Sequence, residues 1–482
     1  MSDIVINNKL DKLHEECGVF GLYKNDEELD IVALTHDGLY GLQHRGQESV
    51  GITVIEDGEP FTTKDLGIVS TVLDPKNLSK LPNGKISVGH VRYTSSDYLD
   101  RAATQPLVMR YIEGSLALAN NGAITNFPEI RQRLEEGGSI FQSNSHAEVI
   151  GFLIATHRLQ SDSIEDAILN TMQDLKGAYS MVISSPSKLI GLRDPHGFKP
   201  LCVGKLKNSY IISSESCAIE SIGGEYIRDV EPGEMVVIDE DGFKSYHSEI
   251  KKKTSLCLFE YVYVARPDSI IDGVHVNLAR KKAGELLYRE NPVEADIVCG
   301  VPDSGLDAAQ GYAAASGINY ATAFIKNKYI GRTPQGVGND KKERLLNTRL
   351  NVLKNVVEGK RVVIIDDSIV RGNTSAHIVK ILKQAGAKEV HMRISAPEFR
   401  YPCYFGLDLP EAEDMISNKY SIKELKNRIG ADSLAFLSIE GLHTIAEGCN
   451  IGLCDGCFSG VYRADKPKKK FFDRFAKKIN KI

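Results

Sequence analysis

No apolar run in this sequence approaches the roughly 18 residues that a membrane-spanning helix needs, so no segment reads as a membrane span. The N-terminal residues also lack the basic-then-apolar pattern of a secretory leader, and the chain is expected to be soluble and cytoplasmic. A basic surplus is missing too. The formal net charge is −5, whereas a protein that tracks nucleic-acid phosphates normally carries an excess of positive charge. Nucleic acid is thereby set aside as a bulk partner. Neither a fixed-period repeat nor a low-complexity segment stands out, apart from one local run. From Arg463 onward nine basic residues face two acidic ones, with Phe471, Phe472, Phe475 and Ile479 at helical spacing among them. Such a tail suits a membrane surface or a partner, or it docks its aromatic stripe on its own protein and leaves the lysines solvated.

With no export signal, the nine cysteines are not expected to form disulfides. Each is then packing, a metal ligand or a nucleophile. Cys202, Cys217 and Cys299 read as packing.

A chain of 482 residues exceeds one core and implies two or three domains. Its first half is rich in short alternating runs such as "SVGITVIEDGEPFTTKDLG", "GKISVGHVRY" and "SLALANNGAITN", which suggest stacked antiparallel sheets. Helices are expected at 28–43, 128–136, 146–160 and 162–175, where apolar residues recur every three or four positions. This half reads as α+β. After the lysines at 251–253 the pattern changes to apolar strands alternating with amphipathic helices, the signature of a parallel α/β sheet. The boundary is placed near residue 250.

In "RVVIIDDSIVRGNTSAHIV", residues 361–379, a β-branched strand ends at two acids, passes through a loop with Gly372 and opens a helix. Ligands of open α/β sheets bind beyond the carboxyl ends of strands, and a helix N-terminus attracts phosphate. Asp366 and Asp367 would repel that phosphate alone, so their useful partners are sugar hydroxyls, a bound Mg²⁺ or a developing positive charge.

"VVIIDDSIVRGNTS" resembles the phosphoribosylpyrophosphate motif of type I phosphoribosyltransferases almost position for position. The resemblance implies that Asp366 and Asp367 hold the ribose hydroxyls. It further implies that Ser368 and the loop of Val370, Arg371, Gly372, Asn373, Thr374 and Ser375 bind the substrate, the loop holding its 5′-phosphate. By the same resemblance "GVPDSG" at 300–305 is the pyrophosphate-side loop, with Ser304 near the Mg²⁺ alongside Asp366 and Asp367. The segment at 325–350 is then a basic flap whose Lys326, Lys328 and Arg332 are phosphate ligands. Closure excludes water, which would otherwise consume an oxocarbenium-like species.

In the first half, "ECGVFG", "LQHRGQES", "GHVRYTSS", "NNGAITN" and "FQSNSHAE" occur in that order. Together they resemble the class II, N-terminal-nucleophile glutamine amidotransferases, and with the second half the resemblance is to the glutamine phosphoribosylpyrophosphate amidotransferase family, from Cys17 to about residue 463. This implies a propeptide at 1–16, a glutaminase domain at 17–250, a phosphoribosyltransferase domain at 251–463 and a basic tail at 464–482. Cys17 would be the nucleophile, its own α-amine (pKa about 8) accepting the thiol proton. Asn121 and the Gly122 N–H would form the oxyanion hole, and Arg92 would pair with the glutamine α-carboxylate. Arg45 and Tyr93 are second-rank substrate-binding candidates.

The chain departs from the family where members commonly read Ser-Asp-Thr-Glu: here the residues are Ser145, His146, Ala147 and Glu148, and Asn120 stands where histidine is usual. His146 faces the glutamine ammonium in this reading. It must be neutral there, so affinity is expected to fall as pH drops through an imidazole pKa near 6.5. Glu148, backbone carbonyls or water would hold the ammonium.

Cys454-x-x-Cys457 is a two-ligand half-site by spacing alone. The family branch with a propeptide also carries a [4Fe–4S] cluster, and the resemblance adds Cys257 and Cys403 as ligands, with zinc as runner-up; Cys449 is a nearby thiol to be kept distinct. The expected activity is Mg²⁺-dependent conversion of phosphoribosylpyrophosphate and glutamine to 5-phosphoribosylamine, the entry to purine synthesis. A homotetramer inhibited by purine nucleotides is implied as well. Two rivals are a non-catalytic phosphoribosylpyrophosphate-binding regulator and an ammonia-dependent transferase whose glutaminase is impaired at His146.

Overall fold

Apolar residues fill Ser49–Glu56, Ile86–Arg92 and Gly114–Asn121, and each of these segments forms a strand, because β-branched and aliphatic side chains pack well on a pleated surface. The computed structural model describes residues 17–93, 101–327 and 350–468. The expected propeptide, Lys328, Arg332 and the tail beyond residue 468 lie outside the described residues.

Seven strands form an antiparallel sheet with Gly18–Tyr23 at its centre, between Ile86–Arg92 and Ser209–Ser213. Six more form a second antiparallel sheet in which Gly114–Asn121 lies between Leu107–Tyr111 and Ser180–Ser184. Val19, Val88, Ala119, Val182 and Val236 fill the space between the sheets. Helix Ile31–Gly41 covers the outside of the first sheet, and helices His146–Arg158 and Ile164–Asp174 cover the outside of the second. The layers therefore run helix, sheet, sheet, helix. The expected helix starts at 28 and 162 move inward because Asp30 and Ser163 cap the first turns, their side chains accepting backbone N–H groups.

The second half is built on four parallel strands in the order Ile297–Gly300, Arg361–Asp366, Glu389–Ile394 and Ser433–Phe436. Val363 and Ile365 face helices Val276–Glu290 and Leu306–Ser316. Val362 and Ile364 face helices Asn373–Gln384 and Ile422–Ile429 on the other side. A doubly covered sheet explains the unbroken apolar run of its central strand. It also sets the carboxyl ends of Ile297–Gly300 and Arg361–Asp366 side by side. Among the described residues no helix is long and apolar enough to cross a membrane.

Candidate active sites

Cys17 sits immediately before the central strand, and its thiol donates to the Tyr93 carbonyl oxygen at 3.7 Å. Burial raises the thiol's pKa, against the opposing pull of Arg92 and Arg45, so the sulfur rests as a thiol and needs a base to become a nucleophile. Arg92 is half-buried at the end of its strand.

Asn121 closes its strand in the facing sheet. It is fully buried, yet neither atom of its side-chain amide has a hydrogen-bond partner. Native proteins leave few such groups, since each costs about 1–3 kcal/mol. An amide kept unpaired is suited to a ligand that arrives later. Gly122 follows at φ +126°, and a Cβ there would lie 2.5 Å from the Ala178 carbonyl oxygen, so only glycine keeps the backbone in this place. His90, which the sequence reading passed over inside "GHVRYTSS", donates from Nε2 to the Asn120 carbonyl oxygen at 3.2 Å. Burial pushes its pKa down to about 3, so the ring stays neutral and steadies the strand end that presents Asn121.

Arg45 is corrected from substrate contact to strut. It is fully buried; Nε donates to the Cys17 carbonyl oxygen at 3.1 Å, Nη1 to Glu215 at 2.6 Å, and the guanidinium forks onto Glu260. Its charge is met inside the protein rather than by a ligand.

His146 is the first residue of its helix, half-buried, with its ring stacked on Phe127 at a centroid distance of 4.5 Å. Its Nδ1 accepts the Ile124 backbone N–H at 3.0 Å, and burial pushes its pKa down to about 4. The expected limb near 6.5 is therefore displaced. Glu148 does not serve as a spare anion either: its carboxylate accepts the backbone N–H groups of Gln142 and Ser143 and the Ser143 hydroxyl.

In the second half, Asp366 and Asp367 are buried at the end of their strand. The Ser304 and Ser368 hydroxyls both donate to the Asp367 carboxylate, which joins loop 300–305 to loop 366–372. Gly372, at φ +82°, begins helix Asn373–Gln384 and turns that helix's positive end toward the loop. Val370 is buried in the core and its carbonyl oxygen accepts the Ile416 N–H, so its contribution is limited to backbone. Ser375 is buried as well. Lys326 pairs with Asp303 of loop 300–305, bringing a basic side chain to that loop.

Ser304, Asp366 and Asp367 offer oxygen donors at this second site, the kind that suits a hard cation. No three His, Cys, Asp or Glu groups among the described residues converge tightly on one ion, but Mg²⁺ commonly takes one or two carboxylates and completes its shell with substrate phosphates and water.

The four cysteines expected as cluster ligands line a single cavity, together with Phe198, Lys199, Phe405, Leu407 and Tyr462. Cys257 and Cys454 are register partners on adjacent parallel strands, and Cys457 lies in the short helix Gly456–Ser459. Burial pushes Cys257 and Cys454 up to about 12, so as free thiols they are protonated. Four sulfurs around one cavity are the soft donors that suit either a cluster or zinc. Cys449 lies outside that lining and meets the Tyr261 hydroxyl at 3.6 Å. Cys202, Cys217 and Cys299 are buried and free.

Residues 90–221 match a glutamine amidotransferase domain and residues 276–398 a phosphoribosyl transferase domain. The chain is 44% identical to an amidophosphoribosyltransferase of Bacillus subtilis over 93% of its own length and 94% of the relative's. It is 42% identical to one of Archaeoglobus fulgidus, covering 94% and 98%. Among solved structures, the Bacillus subtilis glutamine phosphoribosylpyrophosphate amidotransferase complexed with ADP and GMP superposes with a TM-score of 0.85 at 42% identity, covering 93% of this chain and 98% of that one. With near-complete coverage at these identities, this chain belongs to the amidophosphoribosyltransferase family.

Proposed function

We propose that the chain makes 5-phosphoribosylamine from phosphoribosylpyrophosphate with glutamine as nitrogen donor, releasing glutamate and pyrophosphate, and so opens purine biosynthesis. The observation that carries the reading is the unpaired, fully buried amide of Asn121 in a fold whose other half joins Ser304 to Asp367. A glutaminase half, 17–250, and a transferase half, 251–463, followed by the tail at 464–482, divide the work.

Removal of residues 1–16 would free the Cys17 α-amine. That amine takes the thiol proton, and the thiolate attacks the glutamine carboxamide carbon. The negative oxygen that forms is met by the Asn121 amide and the Gly122 N–H; one such donor is worth about 3–4 kcal/mol in other enzymes. The amine's proton goes to the departing nitrogen, ammonia leaves, and water then hydrolyses the Cys17 thioester, freeing glutamate and the thiol. Arg92 grips the α-carboxylate, with Tyr93 beside it and His146 nearby. In the second half the loop from Ser368 to Ser375 and the helix N-terminus hold the 5′-phosphate. Asp366 and Asp367 hold the ribose hydroxyls, while Lys326, Lys328 and Arg332 meet the leaving pyrophosphate. Mg²⁺, held by Ser304, Asp366 and Asp367, would draw charge from that leaving group.

Cys257, Cys403, Cys454 and Cys457 would hold a [4Fe–4S] cluster, which when bound supplies a staple between distant segments; zinc is the second possibility. The Bacillus subtilis relative solved with ADP and GMP supports purine nucleotides as inhibitors, and a cytoplasmic homotetramer completes the reading. A regulator without catalysis would not need the unpaired Asn121 amide.

Product formation with glutamine and with ammonium salt tests this in wild type and Cys17→Ala. Cys17→Ala should lose the glutamine reaction and keep the ammonia reaction, and active wild type should begin at Cys17 on N-terminal sequencing. Full activity from protein that still begins at Met1 overturns the amine-base mechanism.

A further inference from the structure

We propose that Glu260, supplied by the phosphoribosyl half, is a positioning residue for the glutaminase nucleophile and acts through Arg45; this rests on the reading of Cys17 as that nucleophile. Glu260 is fully buried at the start of the π-helical segment Glu260–Val264, a rare geometry found often at functional sites. Its two carboxylate oxygens accept Nη1 of Arg45 at 3.0 Å and Nη2 at 2.9 Å. Nη1 also donates to Glu215 at 2.6 Å, and Nε donates to the Cys17 carbonyl oxygen at 3.1 Å. A planar guanidinium fixed along two edges cannot turn. The backbone of Cys17 is thus set by one carboxylate from each half of the chain.

The π segment is itself held from behind. Arg280 donates from Nε to the Tyr261 carbonyl oxygen at 2.8 Å and from Nη2 to that of Ala265 at 2.7 Å. Arg280 lies on helix Val276–Glu290, which packs against helix Leu306–Ser316, and that second helix begins directly after the loop carrying Ser304. Contact is continuous from the sugar-phosphate loops to the carbonyl of the nucleophile.

Charge explains why this carboxylate acts on geometry more than on stability. Two anions share Arg45, so removing one still leaves the guanidinium paired with Glu215, and no uncompensated buried cation results. In Glu260→Gln, however, the amide NH₂ opposes an arginine N–H, and the fork that orients Arg45 is lost.

Glu260→Gln and Glu260→Asp are to be assayed with glutamine and with ammonium salt, beside Cys17→Ala. In Glu260→Gln, kcat with glutamine should fall about tenfold or more, on the scale of the ~10²-fold that a misplacement of about 1 Å brings. KM for glutamine should stay within about twofold. Ammonia-dependent transfer and Tm should stay near wild type, and Glu260→Asp, which keeps the charge, should recover part of the loss. An unchanged glutamine kcat, or an equal loss with both nitrogen sources, overturns the proposal. If Glu260→Gln does not fold, Glu260→Asp decides by the same two comparisons. Glutamine activity retained in Cys17→Ala would instead remove the nucleophile reading beneath it, so the two failures are distinguishable.

Discussion

The Nδ1 atom of His146 accepts the backbone N–H of Ile124 at 3.0 Å. That bond fixes the tautomer: Nε2 carries the proton, and the ring can offer an ammonium no acceptor at Nδ1. Protonation would forfeit the bond, which agrees with a pKa pushed down by burial to about 4. An unfolded imidazole titrates near 6.5, so between that value and about 4 the unfolded chain binds the proton and the folded chain does not. The contribution of this group to stability is complete above the unfolded pKa and declines as pH falls through that window. The KM for glutamine is accordingly expected to hold within about twofold from about pH 6 to 8, where the ring stays neutral. Its acid limb belongs nearer pH 4, at the pKa of the folded ring. A KM that rises with a midpoint near 6.5, assigned to His146 by its loss in His146→Gln, would contradict the hydrogen-bonded geometry.

Asp366 and Asp367 define a second test, because they lie in the parallel-sheet half and Cys17 in the stacked sheets. Asp366→Asn with Asp367→Asn should reduce transfer from either nitrogen source by about 10²-fold or more, as expected when charge that faces a developing cation is removed. Glutamine hydrolysis at Cys17 should stay measurable. Steady-state assays of the two half-reactions check this, and unchanged transfer would remove both acids from the sugar site.

The sequence made the sugar-phosphate site legible because its chemistry is local. A strand, two acids, a turn glycine and a helix start must follow one another along 361–379, and the βα unit keeps them together in space. Helices His146–Arg158 and Ile164–Asp174 were visible for a similar reason: apolar periodicity and a serine cap are both short-range signals. Arg45 was not legible in this way. Its carboxylate partners lie 170 and 215 positions away, and an ion pair at such separation leaves no pattern in composition or spacing, so a residue inside a substrate-binding motif was read as a ligand contact. The hydrogen bond of His146 was hidden similarly, since its partner is a backbone N–H supplied by the course of the chain at Ile124. His90 was hidden because a buried histidine bonded to a carbonyl looks, in sequence, like any other strand residue.

Cys257, Cys403, Cys454 and Cys457 come from three separated segments to one cavity, and the last prediction concerns what they hold. Burial raises the thiol pKa values of Cys257, Cys454 and Cys457, to about 12 for the first two, so a bound group must displace protons there. Soft thiolate donors suit a cluster or zinc. The four sulfurs share one cavity, and the cluster is the proposed occupant. Protein purified without oxygen should therefore be brown and contain about four irons per chain, as a Cys₄-held [4Fe–4S] centre requires. Cys454→Ser should lose the colour together with the pairing of strands Leu256–Cys257 and Leu453–Cys454, seen as a lowered Tm. Cys449→Ser, outside the lining, should keep both. Metal analysis decides the outcome: one zinc per chain in colourless protein would give the site to the smaller ion, and active protein free of either metal would leave the four thiols as packing.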